Sequence, residues 1–323
     1  MNMIKNLPIY LTLFLLSGCI TNDDPETEII LSQSRQKTYL SQAKPPQQFG
    51  FEIVSADDGI TYFGRARLHH NQSAVAEISK EAYPIISVRG HFRRARMNAL
   101  VDFSSPSSWL EFSQSQKFSA KFLGINNDVM PYRGGNSIGE ANAYASVISQ
   151  LRIDQLFMEN VPFYTRMAEG SLGPLARKIQ SPKVDAVLGY DNLRNFEFIQ
   201  MDLSHRRILF SSTKPYTPND ELLVDTVKIL NLPGYGLAVA GSINNQPWPI
   251  LLDFAGNYHF SRGDVNTKST AVVGLGKLSF ENVPTLLLPR HNAPPRAGRK
   301  MLSPYVITIC YRQGVVYFER PPK

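Results

Sequence analysis

The chain has 323 residues, more than one hydrophobic core usually supports, so we expect two cores. Hydrophobic residues make up 43% of it and charged residues 19%, which excludes both a disordered chain and one that spans a membrane throughout. Frequent Tyr, Phe and Pro favour strands and turns over long helices.

The formal net charge is +7, which raises the question of a nucleic-acid partner. The basic residues, however, form small scattered groups, for example Arg93, Arg94 and Arg96, and Arg296, Arg299 and Lys300. Such a distribution is typical of a solvated face, and the alternative is attraction to an anionic lipid surface. We therefore expect no nucleic-acid partner.

The first residues have the features of an export signal. Lys5 supplies a short positive region, and the apolar stretch 7–16 is too short to span a bilayer as a helix. It ends in Leu16-Ser17-Gly18-Cys19, which resembles the bacterial lipoprotein signal, where small residues precede a cysteine that is lipidated and becomes the mature N-terminus. The alternative is a plain secretory signal with a chance cysteine.

The lipoprotein resemblance implies a signal peptide over residues 1–18, lipidation of Cys19 and attachment to the membrane of a bacterial cell envelope. Ile20 stands where the inner-membrane retention signal would place Asp, which favours the outer membrane, facing the periplasm. Residues 19–48 are polar and are predicted to be a flexible tether. Cys310 lies in an apolar run and is predicted to be a buried strand residue, so no intramolecular disulfide is expected.

After the tether, residues 49–81 are predicted to form N-terminal strands, with a hairpin at 57–59, and a short helix near 74–80. An internal repeat follows. Its first copy has a strand at 84–88, a turn and a second strand within 98–105, and the second copy has the same pattern at 236–241 and 249–256. In each copy the second strand ends in Asp-Phe followed by two small residues.

Each copy later ends in another predicted strand pair, and the polar segment 212–222 between the copies contains Pro215 and Pro218. The sequence therefore predicts an N-terminal β lobe over 82–211, a linker over 212–222 and a C-terminal β lobe over 223–323. Two similar halves of this size predict a pseudo-twofold arrangement with a cleft between them.

The order of these elements resembles the pepsin-like and retropepsin-like aspartic proteinases, in which each lobe gives one Asp at a strand end in the pattern Asp-Thr/Ser-Gly. Asp102 and Asp253 match those two aspartates. Trp109 lies seven residues beyond the first, where pepsin-like enzymes often carry a tryptophan. The resemblance covers roughly residues 82–320 and implies a mostly β, two-lobed pepsin-like fold with internal duplication.

Two further segments support this resemblance. Tyr132-Arg133-Gly134-Gly135 is similar to the tyrosine-bearing flap hairpin, although Tyr132 could equally be an ordinary hairpin aromatic. Segment 184–189 resembles the apolar-apolar-Gly segment that packs against the active loop, and 271–274 is its weaker partner in the second lobe.

The resemblance implies an aspartic endopeptidase acting on peptides or proteins, with no metal or cofactor. Two carboxylates about 3 Å apart cannot both ionise, so they share one proton. One then acts as base toward a bridging water, and the other hydrogen-bonds the scissile carbonyl as acid. One chain supplies both aspartates, so an oligomer is not required. The paired residues His69-His70 have no partner at metal-ligand spacing, and no metal site is expected.

The chain departs from the family's pattern beside both aspartates. Phe103 and Phe254 replace the hydroxyl residues that hydrogen-bond across the lobes, and their rings could stack as an apolar floor. Ser104 and Ala255 add a Cβ where the family has Gly. The alternative function is therefore a catalytically inactive protein that binds an extended peptide or a partner protein in its cleft. For each aspartate alone, a strand-end turn residue is the plain alternative, and Trp109 is more simply a core residue.

Overall fold

The computed structural model of the protein describes residues 29–56, 59–79, 83–90, 95–124, 131–132, 143–169, 172, 182–263, 270–288 and 293–322. Strands dominate these ranges, so the prediction of a mostly β fold is confirmed. The predicted signal peptide and the predicted lipidation residue Cys19 lie outside the described residues, as do Gly134 and Gly135 of the predicted flap.

The secondary structure elements are as follows. Up to residue 169 the strands are β1 (Ile29–Ile30), β2 (Glu52–Ala56), β3 (Gly59–Phe63), β4 (Arg67–Leu68), β5 (Ser73–Glu77), β6 (Ile85–Gly90), β7 (Arg96–Val101), β8 (Trp109–Leu110), β9 (Lys121–Phe122), β10 (Pro131–Tyr132), β11 (Ala143–Ile153), β12 (Leu156–Arg166) and β13 (Ala168–Glu169). The later strands are β14 (Ala186–Leu188), β15 (Phe198–Asp202), β16 (Arg207–Ser211), β17 (Leu223–Leu230), β18 (Ala238–Ile243), β19 (Gln246–Asp253), β20 (Phe260–Arg262), β21 (Thr270–Leu275), β22 (Leu278–Leu287), β23 (Arg296–Gly298), β24 (Val306–Cys310) and β25 (Val315–Glu319). The helices are α1 (Gln33–Leu40), α2 (Phe112–Lys117), α3 (Tyr190–Leu193) and α4 (Arg299–Leu302), with a 3-10 helix at Pro46–Phe49.

The first repeat contains a closed barrel of six strands. Around the ring the order is β6, β7, β14, β8, β12 and β11, and β11 closes the ring by pairing with β6. Neighbours are antiparallel except at β7–β14 and β8–β12, which are parallel. Closure leaves none of these six strands at a sheet edge.

The second repeat builds the same barrel from its own strands. Its order is β18, β19, β23, β20, β22 and β21, and β21 closes the ring on β18. The parallel pairs again fall at two places, β19–β23 and β20–β22, which are the counterparts of β7–β14 and β8–β12. Strand order and strand direction are therefore duplicated, as the internal repeat predicted.

A sheet of six strands joins the two barrels in the order β5, β16, β15, β24, β25 and β17. In chain order β5, β15 and β16 hold the same places in the first repeat as β17, β24 and β25 in the second. At its centre β15 and β24 run antiparallel, with Gln200 opposite Thr308. This antiparallel centre is what a twofold relation between the repeats requires.

The core differs from the expectation of two separate cores. The largest cluster of buried side chains in the described part of the chain contains residues of both barrels and of the central sheet. Val101 and Phe103 of the first repeat and Leu252 and Phe254 of the second belong to it. The two repeats are thus packed into one apolar interior, and burial of this size is the main stabilising contribution.

The predicted short helix near 74–80 is wrong, because residues 73–77 form strand β5. Side chains alternate there, with Ala74 and Ala76 buried and Val75 exposed, which is the period of a strand. Pairing with β16 along its full length overrides the helix propensity of Ala and Glu. The first repeat consequently begins at β5, before residue 82.

The prediction of a flexible tether over 19–48 is wrong from residue 29 onward. Strand β1 pairs with β13, and Leu31 is buried with Phe112 and Met167 of the first repeat. Ser32 caps helix α1 by accepting a hydrogen bond from the Arg35 N–H. A few apolar anchors in a polar segment therefore suffice to fasten it, whereas its composition alone suggested a linker. Strands β2 and β3 pair on either side of the hairpin turn predicted at 57–59, of which residues 57 and 58 lie outside the described residues.

Candidate active site

The two predicted catalytic aspartates occupy equivalent places in the two barrels. Asp102 directly follows β7, and Asp253 is the last residue of β19. Both strands pair in parallel with the short strand that precedes a helix, β14 in the first repeat and β23 in the second. Asp253 is 5% exposed, while Asp102 is only partly buried. Duplication has thus placed one carboxyl at the start of the loop after β7, here the first loop, and one at the start of the loop after β19, here the second loop.

In the first loop, the Asp102 carboxylate accepts hydrogen bonds from its own loop. Ser104 donates to Oδ1 through its backbone N–H at 2.9 Å and through its hydroxyl at 2.8 Å. The Ser105 N–H donates to the same oxygen at 3.2 Å. These donors fix the carboxyl orientation and favour its charged form.

In the second loop, the Asp253 carboxylate meets a different set of groups. The Gly256 N–H donates to Oδ1 at 2.7 Å, which matches the Ser105 contact at the same spacing from its aspartate. The Tyr258 hydroxyl donates to Oδ2, and Arg296 Nη1 lies 3.8 Å from that oxygen. Asp253 is therefore surrounded by donors and a cation, whereas Asp102 is held by serines.

Each loop is closed by a glycine at a point of close backbone approach. A Cβ at Gly189 would overlap the carbonyl oxygen of Ser107, and a Cβ at Gly298 would overlap that of Tyr258. Ser107 and Tyr258 each lie five residues after their aspartate. Segment 184–189 therefore packs, as predicted, against the loop that follows Asp102.

The predicted partner of that segment in the second lobe, 271–274, is wrong. Residues 271–274 belong to β21, the counterpart of β11, and pair with β18 and β22. The true counterpart is β23 with Gly298, which pairs with β19 beside Asp253. Its apolar-apolar-Gly pattern is interrupted by Arg296, so it could not be recognised from hydropathy.

The two phenylalanines form the apolar floor that the sequence predicted. Phe103 and Phe254 are both 0% exposed, and their ring centroids lie 5.4 Å apart at 61°. This edge-to-face geometry is favourable for aromatic pairs. The two rings belong to the residues that directly follow Asp102 and Asp253.

A backbone hydrogen bond joins the first loop to the second repeat. The Leu237 N–H donates to the Phe103 carbonyl oxygen at 2.7 Å. The register of the two barrels makes Pro84 the counterpart of Leu237, and proline has no N–H to donate. The equivalent backbone hydrogen bond from residue 84 to the second loop therefore cannot form.

Trp109 is a buried support residue. It is 5% exposed and lies in one cluster with Tyr164, Val187 and Ala255, the last of which belongs to the loop of the other repeat. Ser104 of the first loop is likewise buried. Both loops thus pack at an interface between the repeats, and Trp109 acts through packing.

The two carboxyls interact electrostatically. Burial raises the pKa of Asp102 to about 6, and the charge of Asp253 adds to this rise, while Ser104 and Arg296 oppose it. The pair can consequently hold one proton on Asp102 in a pH range well above that of a free aspartate.

A second partly buried carboxyl, that of Asp191, fixes the first loop from the side of α3. Asp191 accepts from the Ser108 hydroxyl at 2.5 Å and from the Ser108 N–H at 3.1 Å. The Ser108 hydroxyl oxygen in turn accepts from the Gly189 N–H at 2.8 Å and from the Asn192 amide at 2.9 Å. Burial raises the pKa of Asp191 to about 6, against the hydrogen bonds from Ser108.

The predicted flap lies mostly outside the described residues. Of its backbone, β10 pairs antiparallel with the first residues of β11, with Tyr132 opposite Ala143. Gly134 and Gly135 lie outside the described residues. The role of Tyr132 as a flap residue therefore stays a prediction.

Three residues at the site were missed in the sequence. Tyr258 and Arg296 contact Asp253, and Arg299 of α4 stacks over the Tyr83 ring at 4.4 Å from its centroid. Burial lowers the pKa of Arg299, while Tyr83 and Asp253 oppose this shift. The expectation that the group Arg296, Arg299 and Lys300 forms a solvated or lipid-facing surface is wrong for the two arginines. Aligning the repeats through Gly189 and Gly298 would have placed Arg296 next to the aspartates.

Other residues that could bind a metal or act as a nucleophile lie outside this site. Within the described ranges, no cluster of three or more His, Cys, Asp or Glu could hold a metal. His69 contacts Glu159 at 3.0 Å. Cys310 is buried in β24 as predicted, and burial raises the pKa of its thiol to about 12. Of the helices in the described part of the chain, none has the length and apolar composition needed to cross a membrane.

Comparison with known proteins gives little beyond this geometry. No protein-family model matches the chain, and neither does any curated protein. Among solved structures, the chain is similar to the crystal structure of basic 7S globulin from soybean, with a TM-score of 0.47 and 10% sequence identity, over 77% of this chain and 94% of that chain.

Proposed function

We propose that the protein is an aspartic-type endopeptidase with a pepsin-like fold, in which Asp102 and Asp253 form the catalytic dyad. The observation that carries this proposal is the equivalent position of the two carboxyls at the loops between two identically connected barrels. The interaction of their charges, which raises the pKa of Asp102, supports it. The peptide or protein substrate would lie extended between the repeats.

The chemistry follows from the shared proton. A water held between the carboxyls loses a proton to one of them and attacks the carbonyl carbon of the peptide, while the other carboxyl donates a proton to the carbonyl oxygen. The Phe103–Phe254 floor supports the loops from below by packing, without hydrogen-bonding them. Asp102 keeps some exposure, so the pair stays accessible to water.

The test is cleavage of an unfolded protein substrate across acidic to neutral pH. Asp102→Asn and Asp253→Asn should each lower the cleavage rate on the order of 10²–10⁴-fold, because each removes one proton-transfer group. Asp220→Asn, an exposed carboxyl of the linker, is the matched control and should cleave at the wild-type rate. A statine-type inhibitor should compete with the substrate. Thermal unfolding of each variant checks that the fold is intact.

A second function is favoured by the surroundings of Asp253. Its carboxylate is 5% exposed, accepts hydrogen bonds from Gly256 and Tyr258, and has Arg296 beside it, so both of its oxygens already have partners within the protein. The alternative is therefore an inactive member of the same class that holds an extended segment by strand pairing. A wild-type protein that cleaves no substrate at any pH, yet binds an extended peptide, would establish this alternative.

We also propose that Cys19 is lipidated and anchors the protein to the envelope membrane. Because the chain is packed onto the first repeat from residue 29, residues 19–28 could span at most about 35 Å between anchor and barrel. Cys19→Ser should release the protein from membranes and abolish metabolic labelling with a fatty acid. Unchanged retention and labelling would contradict the anchor.

A further inference from the structure

Arg296 links the loops of the two repeats. Its Nη1 lies 3.8 Å from Asp253 Oδ2 and 3.5 Å from the Ser104 hydroxyl oxygen. That hydroxyl donates to Asp102 Oδ1 at 2.8 Å. One guanidinium is therefore in contact with Asp253 directly and with Asp102 through Ser104.

The equivalent contact on the other side of the pseudo-twofold is apolar. By the register of the barrels, Arg296 corresponds to Val187, because each lies opposite the residue two places before its aspartate. Ser104 corresponds to Ala255, the second residue after its aspartate. Val187 and Ala255 pack in one buried cluster. On one side of the pseudo-twofold the two repeats therefore meet through Val187 and Ala255, and on the other side through Arg296 and Ser104.

The asymmetry places one fixed cation beside a pair of otherwise equivalent carboxyls. We propose that Arg296 is a positioning residue that makes the two aspartates unequal, because it contacts Asp253 directly and Asp102 only through Ser104. In the proposed reaction Asp253 then serves as the base, and Asp102 carries the shared proton as the acid. This assignment rests on the proposed peptidase function.

The other groups that face the pair agree with this assignment. From the loop after β19, Tyr258 donates its hydroxyl to Asp253, and burial together with the Asp253 charge raises the pKa of Tyr258, so it remains a neutral donor. From α4, Arg299 adds a second cation that attracts Asp253 and stacks on Tyr83. Asp102 is faced by Ser104, by Arg296 and by the Asp253 carboxylate. Of these two arginines, Arg296 therefore acts on both carboxyls and Arg299 on Asp253.

With these roles the hydrolytic step is balanced. The Asp253 carboxylate takes a proton from water as the water oxygen bonds to the carbonyl carbon, and Asp102 gives its proton to the carbonyl oxygen as the C=O double bond becomes single. When the resulting diol collapses, the C–N bond breaks, the proton on Asp253 passes to the leaving nitrogen and a diol hydroxyl returns a proton to Asp102.

The test is the titration of Asp102 in the intact protein, followed by NMR of carboxyl-labelled aspartate. Arg296→Met removes the cation and should move the Asp102 titration upward by about one pH unit, since a nearby positive charge favours the carboxylate. Arg296→Lys keeps the charge and should restore most of the wild-type titration. Lys228→Met, an exposed cation on β17, controls for net charge and should leave the titration unchanged.

Activity gives a second readout. Because Asp102 must be protonated to act as acid, the alkaline limb of kcat/KM should move to higher pH in Arg296→Met by the same amount. If that variant fails to fold, Arg296→Gln provides the neutral comparison. An Asp102 titration that is unchanged in the neutral variant overturns the proposal. If the wild type cleaves nothing but the titration moves, the role of Arg296 is supported and the peptidase function is contradicted.

Discussion

The loops after β7 and β19 have the same backbone hydrogen-bonding pattern but different side chains. In both, the aspartate accepts a hydrogen bond from the N–H three residues later, at Ser105 and Gly256. In both, the carbonyl of that same residue accepts from the N–H of the first residue of the following helix, Tyr190 or Arg299. The conformation of the loop is therefore duplicated even where no residue beyond the Asp-Phe pair is shared.

The side chains that hold the two loops have diverged. The first loop is fastened by the polar network of Ser108 and Asp191, in which Gly189 donates to a side chain. In the second loop Gly298 donates instead to the backbone carbonyl of His259, at 2.8 Å. The difference indicates that close backbone approach sets the loop shape, while side chains set the electrostatics of each carboxyl.

The largest expected effect tests whether Phe103 and Phe254 contribute equally to the stability of the protein. Phe103→Ala and Phe254→Ala should each lower the free energy of unfolding by about 3–5 kcal/mol, because both rings are fully buried in one core. Chemical denaturation measures both losses. The double variant should show a coupling of about 0.5–1.5 kcal/mol from the lost aromatic pair. A loss below about 1 kcal/mol for either single variant would contradict a packed floor.

The next effect tests the shared backbone. Gly189→Ala and Gly298→Ala each place a Cβ against a carbonyl oxygen, of Ser107 and Tyr258 respectively. We expect similar losses of about 2–3 kcal/mol in both repeats, because the obstacle is backbone that cannot move away cheaply. Gly314→Ala is a control for side-chain addition without overlap, since nothing lies within 4 Å of its added Cβ, although its φ of +69° adds strain of its own. If only one of the two loop glycines is sensitive, the equivalence of the loops fails.

An effect of similar size tests the network of Ser108 and Asp191 in the first repeat. The pKa of Asp191 is raised from 3.8 to about 6, so the native state favours its protonated form. Its contribution to stability is present below pH 3.8 and is lost as the pH rises through about 6, by roughly 3 kcal/mol. Asp191→Asn should remove this part of the pH dependence. It should also cost about 2 kcal/mol at acidic pH, because an amide N–H then faces a backbone donor.

Denaturation of both proteins at several pH values between 3.8 and 6 makes this measurement. Asp102 titrates in the same window, so the variant should retain the Asp102 share of the slope. A slope equal to that of the wild type would show that Asp191 does not change its protonation there. Asp154→Asn, an exposed turn residue between β11 and β12, is the control.

These comparisons show which features the sequence could predict. The two Asp-Phe pairs lie at equal places in an apolar strand of each copy, so the repeat, the positions of the aspartates and the phenylalanine floor could be recognised. Arg296 was missed because it interrupts the apolar-apolar-Gly pattern that ends at Gly298, so hydropathy alone does not identify this segment. Segment 271–274 has the same apolar-apolar-Gly pattern, but it belongs to β21, and its pairing with β18 is not evident from the sequence.

Local composition predicted the wrong structure for two other segments, and the physical reason is the same for both. Ala and Glu at 74–77 favour a helix, and the polar residues of 29–48 favour a linker. In both cases contacts with distant parts of the chain decide, with β16 pairing to β5 and Met167 packing on Leu31. Such contacts contribute more than propensities of a few tenths of a kcal/mol per residue.

The smallest expected effect concerns the second residue after each aspartate, which is Ser104 in one loop and Ala255 in the other. Ser104→Ala removes the hydroxyl that donates to Asp102 and contacts Arg296, so stability should fall by about 1 kcal/mol and the pKa of Asp102 should rise above about 6. The reverse change, Ala255→Ser, buries a hydroxyl in the cluster of Trp109 and Val187, and should cost about 1–3 kcal/mol unless the hydroxyl finds a partner. Calorimetry and the NMR titration of Asp102 measure the two outcomes separately. If Ser104→Ala leaves the Asp102 titration in place, the serine serves only for packing, and the two loops are electrostatically more alike than their side chains suggest.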